Sequence, residues 1–238
     1  MDALIRIKPA RRTVVVGTRT IRAEQIHLGG ALRGAALVLC DAGDLGPDSE
    51  AVANDLLMQG YEPLVAEIDG DTAERDHRAD IGALLDVLAE RGWEHQQVGV
   101  LGYGTGARVA LTAAFGFDLG AVVSISSAAA DVAAHALHLL DRPAVMRVPW
   151  LGLFAGTATQ AAGTLADLRR RLRADAPVYT RVVGYADGSA WPHLDDRDAV
   201  DHAASFDSWQ RAMEWLNLRV VPRPTELALA WARRQANE

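Results

Sequence analysis

The residues most suggestive of chemistry form a glycine-rich pentad near the middle of the chain. Gly102-Tyr103-Gly104-Thr105-Gly106 follows an apolar run and precedes a run typical of a helix. A strand, a tight turn and a helix in this order are the setting of the nucleophile elbow, whose pattern is Gly-x-Ser-x-Gly. Here the central position is Gly104, which offers no side chain that could attack a substrate. The pentad therefore predicts the shape of a catalytic elbow without its attacking group.

Glycine is physically suited to the centre of such a turn. The elbow holds its central residue in a strained backbone conformation, which costs a residue with a Cβ about 1–3 kcal/mol. Glycine reaches positive φ without the Cβ clash, so a turn released from catalysis gains stability with Gly104. We expect the flanking Gly102 and Gly106 to let the helix and the strand approach closely.

The same pentad is also compatible with a dinucleotide site. Positions 102–107 match the pattern Gly-x-Gly-x-x-Gly/Ala, in which a helix N-terminus holds a pyrophosphate. That fingerprint normally follows the first strand of its sheet, and the next strand ends in an acidic residue. Two strand-like runs come earlier here, at 35–40 and 63–68, and the run 121–126 ends in serine. We therefore favour the elbow, with a plain structural turn as the remaining alternative.

Composition limits the class of protein and its partners. Half of the 238 residues are hydrophobic and 23% are charged, which is typical of one folded domain spanning 1–238. A net charge of −7 argues against nucleic acid as a main partner. The sequence predicts neither a signal peptide nor a membrane span. The single Cys40 cannot form an internal disulfide, so we expect a cytoplasmic protein.

No cofactor and no metal are predicted from the sequence. The seven histidines are scattered, and only His135 and His138 stand at helical spacing. We interpret that pair as a solvated helix face and not as a set of metal ligands.

Apolar runs of strand length alternate with amphipathic runs of helical length. This alternation predicts an α/β fold with a mostly parallel central sheet, helices on both faces and an N-terminal antiparallel hairpin. We expect no large lid domain, and residues 225–238 should form a C-terminal helical tail. The predicted strands are 12–16, 21–28, 35–40, 63–68, 121–126, 150–155 and 178–183, together with an apolar strand that starts at Val98 and runs into the glycine-rich turn. The predicted helices are 50–59 with Ser49 as N-cap, 80–91, 108–114, 131–140, 160–173, 199–216 and 225–237.

From about residue 35 to residue 218 the chain resembles the dienelactone hydrolase family of the α/β-hydrolase superfamily. The resemblance rests on the order and spacing of four segments, at 101–107, 151–155, 186–191 and 207–216. It implies an α/β-hydrolase fold. In the family a cysteine or serine at the elbow attacks an ester or lactone, a histidine acts as base, and an aspartate orients the histidine.

Carried over position by position, the family's catalytic triad is missing from this sequence. The nucleophile position falls on Gly104, the aspartate on Ala158 or Thr159, and the histidine on Ser189. None of these residues can take the corresponding role. The family also places a glutamate after its first buried strand, where this chain has Asp41.

Three residues are weak substitutes for the missing triad. Cys40 and Asp41 end the first buried strand, which we expect beside the elbow, and His193 lies four positions past the expected histidine. A relocated site would use Cys40 as nucleophile and His193 as base. It would act on small carboxylic esters or lactones.

Other residues near the strand ends are candidates for binding a ligand. We expect Asp41, Gly104, Thr105, Ser126, Ser127 and Trp191 to line the former pocket. The backbone N–H of Thr105 could donate to an oxyanion, and its hydroxyl is expected to cap the helix.

The sequence therefore favours a non-catalytic protein of this fold that binds a small molecule or a protein partner. The relocated hydrolase is the first alternative. An assembly role for the C-terminal helix is the second, based on Leu227, Leu229, Ala230 and Trp231. That apolar set could equally cover the chain's own core.

Overall fold

The computed structural model describes residues 6–70, 72–143, 145–156, 161–186 and 199–235. Strands and helices alternate along the chain after an opening hairpin. The strands are β1 Ala10–Val16, β2 Arg19–Gln25, β3 Gly34–Asp41, β4 Tyr61–Ile68, β5 Val98–Tyr103, β6 Ala121–Ser126, β7 Trp150–Phe154 and β8 Thr180–Gly184. The helices are α1 Pro47–Met58, α2 Glu74–Ala89, α3 Gly106–Gly116, α4 Ala129–Leu140, α5 Ala162–Asp175, α6 Ala199–Arg219 and α7 Glu226–Gln235.

All eight strands join one sheet in the order β1-β2-β4-β3-β5-β6-β7-β8. The pairs β1–β2 and β2–β4 are antiparallel, and every pair from β4 to β8 is parallel. The predicted mostly parallel sheet with an N-terminal hairpin is thus confirmed. Because parallel strands share a direction, the carboxyl ends of β3, β5 and β6 meet at one edge. That edge places Asp41, the glycine-rich turn and Ser126 near one another.

Helices cover both faces of the sheet, which explains why the central strands are apolar at nearly every position. Leu37 and Leu39 of β3 belong to the core on one face, to which α2, α3, α4 and α5 also contribute. Val38 and Cys40 belong to the core on the other face, to which α1 and α6 contribute. Burying a side chain of this size stabilises the fold by about 1.5–3 kcal/mol.

The start of α1 differs from the sequence prediction. The helix begins at Pro47, and Gly46 is its N-cap in place of the predicted Ser49. Proline suits the first helical position because its missing N–H needs no partner there. Ser49 stands one turn inside the helix, where its hydroxyl accepts the Gly46 N–H at 2.8 Å.

Helix α2 begins at Glu74, six residues before its predicted start at residue 80. Residues 74–79 are charged or polar apart from Ala79, so they show no apolar periodicity. Their acidic side chains stand in the first turn, where they favour a helix N-terminus.

The glycines on either side of the turn allow α3 to contact the sheet closely. A Cβ on Gly102 would lie 2.7 Å from the Ala110 Cβ and closer still to the Gly106 backbone. A Cβ on Gly106 would lie 2.6 Å from the carbonyl carbon of Leu39. A side chain at either position would push α3 away from β5 and β3, so these glycines are required by packing.

The C-terminal helix does not pack into the body of the chain. Helix α7 has no buried residue, and Leu227 and Trp231 are 76% and 64% exposed. The expectation that its apolar residues could cover the chain's own core is therefore wrong. Between residues 6 and 235, no helix that the structure describes is long and apolar enough to cross a membrane.

Candidate functional site

The turn between β5 and α3 has the backbone geometry of an elbow. Gly104 has a φ of +56°, in the left-handed region that glycine enters at low cost. Its N–H donates to the Ile125 carbonyl at 3.2 Å, which fixes the turn against β6. The positive φ expected from the sequence is thus present at Gly104.

The carboxylate of Asp41 fills the space where a nucleophile would stand. Asp41 is the last residue of β3, and its side chain lies directly against Gly104. A Cβ on Gly104 would lie 2.9 Å from the Asp41 Cγ and closer still to Oδ2. Real Cβ atoms essentially never come this close to another heavy atom. Gly104 and the Asp41 carboxylate therefore fit each other only because the central residue has no side chain.

The same carboxylate engages the expected oxyanion donor. The Thr105 backbone N–H donates to Asp41 Oδ1 at 2.7 Å, and the Thr105 hydroxyl donates to the same oxygen. The expectation that this hydroxyl caps α3 is wrong, since Thr105 makes no side-chain cap bond. A carboxylate next to a helix N-terminus is favoured by the helix dipole, and Asp41 supplies that negative charge.

Glu67 holds the loop that follows Asp41. Its carboxylate accepts the Gly43 N–H at 3.1 Å and the Leu45 N–H at 3.4 Å. Arg22 of β2 pairs with the same carboxylate at 2.6 Å. Sequence reasoning missed this support, although Glu67 is one of two glutamates in the otherwise apolar β4 and was a visible signal.

The loop itself adds further negative charge beside Asp41. Burial raises the pKa of the Asp44 carboxyl, and the negative charges of Asp41 and Glu67 raise it further. The Asp44 backbone N–H donates to the Asp41 carbonyl at 3.1 Å, so the loop turns back over the end of β3. The edge of the sheet beside the elbow is therefore acidic, and hydrogen bonds hold its loop in place.

Cys40 lacks the environment of a reactive thiol. It is buried, and its Sγ donates to the Ala66 carbonyl at 3.5 Å. Burial, reinforced by the charges of Asp44, Glu67, Asp41 and Glu24, raises the pKa of the thiol to about 12. At neutral pH the thiol is protonated, whereas the thiolate is the nucleophile. The geometry therefore argues against Cys40 as a substitute nucleophile.

The remaining predicted residues divide into two groups. Ser126 is buried, and its hydroxyl accepts the Ala128 N–H at 3.0 Å, while Ser127 is exposed. Both serines lie at the carboxyl edge of the sheet, where the elbow also lies. Five predicted positions lie outside the described residues: Ala158, Thr159, Ser189, Trp191 and His193.

A small polar cavity of about 240 Å³ opens next to the elbow. Gly70 links the two, because it packs against the Thr105 side chain and its carbonyl accepts an Arg108 N–H at 2.8 Å. Sequence reasoning did not find this cavity, since its lining comes from separate segments of the chain. It is lined by Thr72, Glu74, His77, Arg108, Thr112 and His135.

The two histidines of the cavity are held by hydrogen bonds. The His135 Nε2 lies 3.0 Å from the Thr112 hydroxyl, and burial lowers the pKa of His135 to about 4. His135 is therefore neutral near pH 7, and it does not stand on the solvated face expected from the sequence. The His77 Nε2 lies 2.9 Å from the Asp69 carbonyl, which can only accept, so this nitrogen carries the proton. Glu74 pairs with Arg142, which offsets its charge.

Comparison with known proteins shows similarity of structure only. No family model matches the sequence, and no curated protein matches it. A chain named as a dienelactone hydrolase in Klebsiella pneumoniae subsp. pneumoniae has a TM-score of 0.69 at 17% identity, covering 88% of this chain and 98% of its own. The dienelactone hydrolase of Anabaena variabilis has a TM-score of 0.61 at 20% identity, and the match covers 90% of this chain and 100% of that one. Esterase 2 of Thermogutta terrifontis has a TM-score of 0.67 at 13% identity, and the match covers 92% of this chain and 97% of that one.

At these identities the comparisons establish the fold. This chain has the α/β-hydrolase fold that dienelactone hydrolases and related esterases share. The fold expected from the sequence resemblance is confirmed.

The contact between Asp41 and Gly104 can be tested with a double-mutant cycle. Gly104→Ala should lower the free energy of unfolding by about 2–4 kcal/mol, from the left-handed φ and the clash with Asp41 together. Asp41→Ala should cost about 1–2 kcal/mol through the lost hydrogen bonds. Because the clash disappears once the carboxylate is gone, the double variant should be less destabilised than the sum by about 1–2 kcal/mol. Urea unfolding measures all three values.

Gly17 is the matched control for this cycle. It has a φ of +61°, and no atom lies within 4 Å of the point where a Cβ would stand, so Gly17→Ala carries the backbone strain alone. Its effect should add to that of Asp41→Ala within error. If the Gly104 and Asp41 substitutions are equally additive, the carboxylate does not fill the nucleophile's space.

Proposed function

We propose that this chain is a non-catalytic protein of the α/β-hydrolase fold that binds a small polar ligand. One observation carries the proposal. The Asp41 carboxylate occupies the nucleophile's space at Gly104 and accepts the backbone N–H that would stabilise an oxyanion. The elbow is thus closed by the chain's own anion.

Acyl transfer needs an attacking group and donors for the negative charge that develops on the substrate oxygen. Gly104 supplies no attacking group, and the Thr105 N–H already binds a carboxylate. A fixed negative charge at this place repels a developing oxyanion. Removal of one oxyanion donor alone costs about 10²–10³ in kcat. Enzymes without a triad retain a rate above water only through such donors and substrate binding.

A relocated hydrolase gains no support from Cys40. Its thiol is buried and protonated, and it faces the core formed with α1 and α6. His193 alone would be a base without a nucleophile. The relocated site therefore ranks below the non-catalytic function.

Ligand binding fits the cavity beside the elbow. In open α/β folds ligands bind near the carboxyl ends of the strands. This cavity borders that region through Thr72, which follows β4, and Arg108, in the first turn of α3. Arg108 brings a guanidinium, Thr112 a hydroxyl and His135 a neutral ring to its wall. These groups suit a small oxyanion such as a carboxylate or phosphate. At about 240 Å³ the cavity is smaller than a typical drug-sized site of roughly 300–1,000 Å³, which favours a ligand of few atoms.

The absence of acyl chemistry is tested with an organophosphate. Esterase 2 of Thermogutta terrifontis is phosphorylated by paraoxon and serves as the positive control. Under conditions that label this control, we expect intact-mass spectrometry to show no adduct on the present chain. We also expect no turnover of short activated esters, and no change in background rate for Cys40→Ser or His193→Ala. A stoichiometric adduct, or hydrolysis abolished by either substitution, would contradict the non-catalytic function.

Ligand binding is tested separately, by titrating the ¹⁵N-labelled protein with acetate and with inorganic phosphate. We expect saturable shifts of the amides of Thr72, Thr112 and His135, because these residues line the cavity. Arg108→Gln should weaken this binding at least tenfold, since it removes the guanidinium. Arg170→Gln, on the exposed surface of α5, is the control and should bind as the parent does. Shifts that do not saturate, or that survive Arg108→Gln, would exclude this cavity as the oxyanion site.

A further inference from the structure

Helix α7 presents an apolar face to solvent. Leu227, Ala230, Trp231 and Arg234 follow the spacing i, i+3, i+4 and i+7, which places them on one side of a helix. Leu227, Trp231 and Arg234 also line a shallow groove together with Thr225 and Ala228. No residue of α7 is buried, so this face has no cover within the described part of the chain.

Several exposed apolar side chains lie close together in the sequence, within α7 and shortly before it. Among the described residues, eleven large hydrophobic side chains are exposed, and five of them fall between residues 218 and 231. These five are Leu218, Val221, Leu227, Leu229 and Trp231. Scattered exposed hydrophobic residues are ordinary, whereas a contiguous exposed apolar patch marks an interaction surface. Of these five residues, Leu227 and Trp231 share the apolar face of α7.

The face of α7 is complementary to itself when two copies run antiparallel. The midpoint of Glu226–Gln235 lies between Ala230 and Trp231. In an antiparallel pair centred there, Trp231 of each copy lies opposite Ala230 of the other, so a large side chain meets a small one. Leu227 then lies opposite Arg234, whose aliphatic stem can cover it.

The charges at the two ends of α7 agree with the same arrangement. Glu226 stands in the first turn and Arg233 in the last, and both flank the apolar face on the same side. An antiparallel pair brings Glu226 of each copy beside Arg233 of the other, and it sets the two helix dipoles against each other favourably. In a parallel pair Glu226 of one copy and Arg233 of the other would stand at opposite ends, so this attraction would be lost.

We propose that α7 is a self-association helix that binds α7 of a second copy of this chain in an antiparallel, two-fold pair. The inference is independent of the cavity and of the elbow. A ten-residue helix is only about 15 Å long, and stable interfaces bury about 800 Å² per partner. The pair is therefore weak and reversible.

Sedimentation at increasing concentrations of the full chain is the first test. We expect the mass to rise from monomer towards dimer, and Trp231→Lys should weaken association at least tenfold by placing a charge at the centre of the pair. Met58→Lys is the matched control, because Met58 is 61% exposed and lies on α1, outside the apolar face of α7. It should associate as the parent does.

Charge reversal tests the antiparallel orientation. Glu226→Arg and Arg233→Glu should each weaken association about three- to tenfold, since each places like charges together at both ends of the pair. The double variant Glu226→Arg/Arg233→Glu restores opposite charges only if the helices are antiparallel, so it should recover association. Far-UV circular dichroism checks that every variant retains its helix.

Two results overturn the proposal. If the chain stays monomeric at every concentration, a second copy does not bind the apolar face of α7. Association that is unchanged by Trp231→Lys, or that the double charge reversal fails to recover while the helix is intact, excludes an antiparallel pair of α7 helices.

Discussion

The contact of the Asp41 carboxylate with the turn at Gly104 determines what the carboxyl edge of this sheet can do. The carboxylate accepts the Thr105 N–H at 2.7 Å and fills the volume next to a glycine with a φ of +56°. The carboxylate in this position requires glycine at position 104, because a side chain there would collide with Asp41. The Thr105 N–H is thereby satisfied by an ion-to-dipole contact within the chain.

The scaffold around this contact retains the requirements of the α/β-hydrolase fold. Gly102 and Gly106 still permit α3 to lie against β5 and β3, and the strand order brings β3 and β5 side by side. What differs is the chemistry at the strand ends. Glu67 and Arg22 fix the loop after Asp41. The small polar cavity lies beside the elbow and not within it, and Arg108 and His135 line it. A binding function at that cavity uses the fold without using the elbow.

Sequence patterns predicted the parts of the fold that depend on local periodicity. The run 121–126 forms β6 at the same residues, and the turn at Gly104 has the positive φ that its motif implies. The sequence prediction missed the start of α2, because the first turn of this helix is charged and so lacks the periodic apolar residues that indicate a helix. The contact between Asp41 and Thr105 joins residues 64 positions apart, and it follows from the pairing of β3 with β5. Such a contact has no local signature, and neither does a cavity lined by separate helices.

Amide hydrogen exchange at Thr105 tests the closed elbow most directly. The Thr105 N–H bonds to a side chain, so its protection should fall sharply in Asp41→Ala. The neighbouring Gly104 N–H bonds to the Ile125 carbonyl and should keep its protection in the same variant. Loss of protection at Thr105 alone is the result that the closed elbow predicts. Equal exchange at Thr105 in the parent and in Asp41→Ala would show that the carboxylate does not hold this donor.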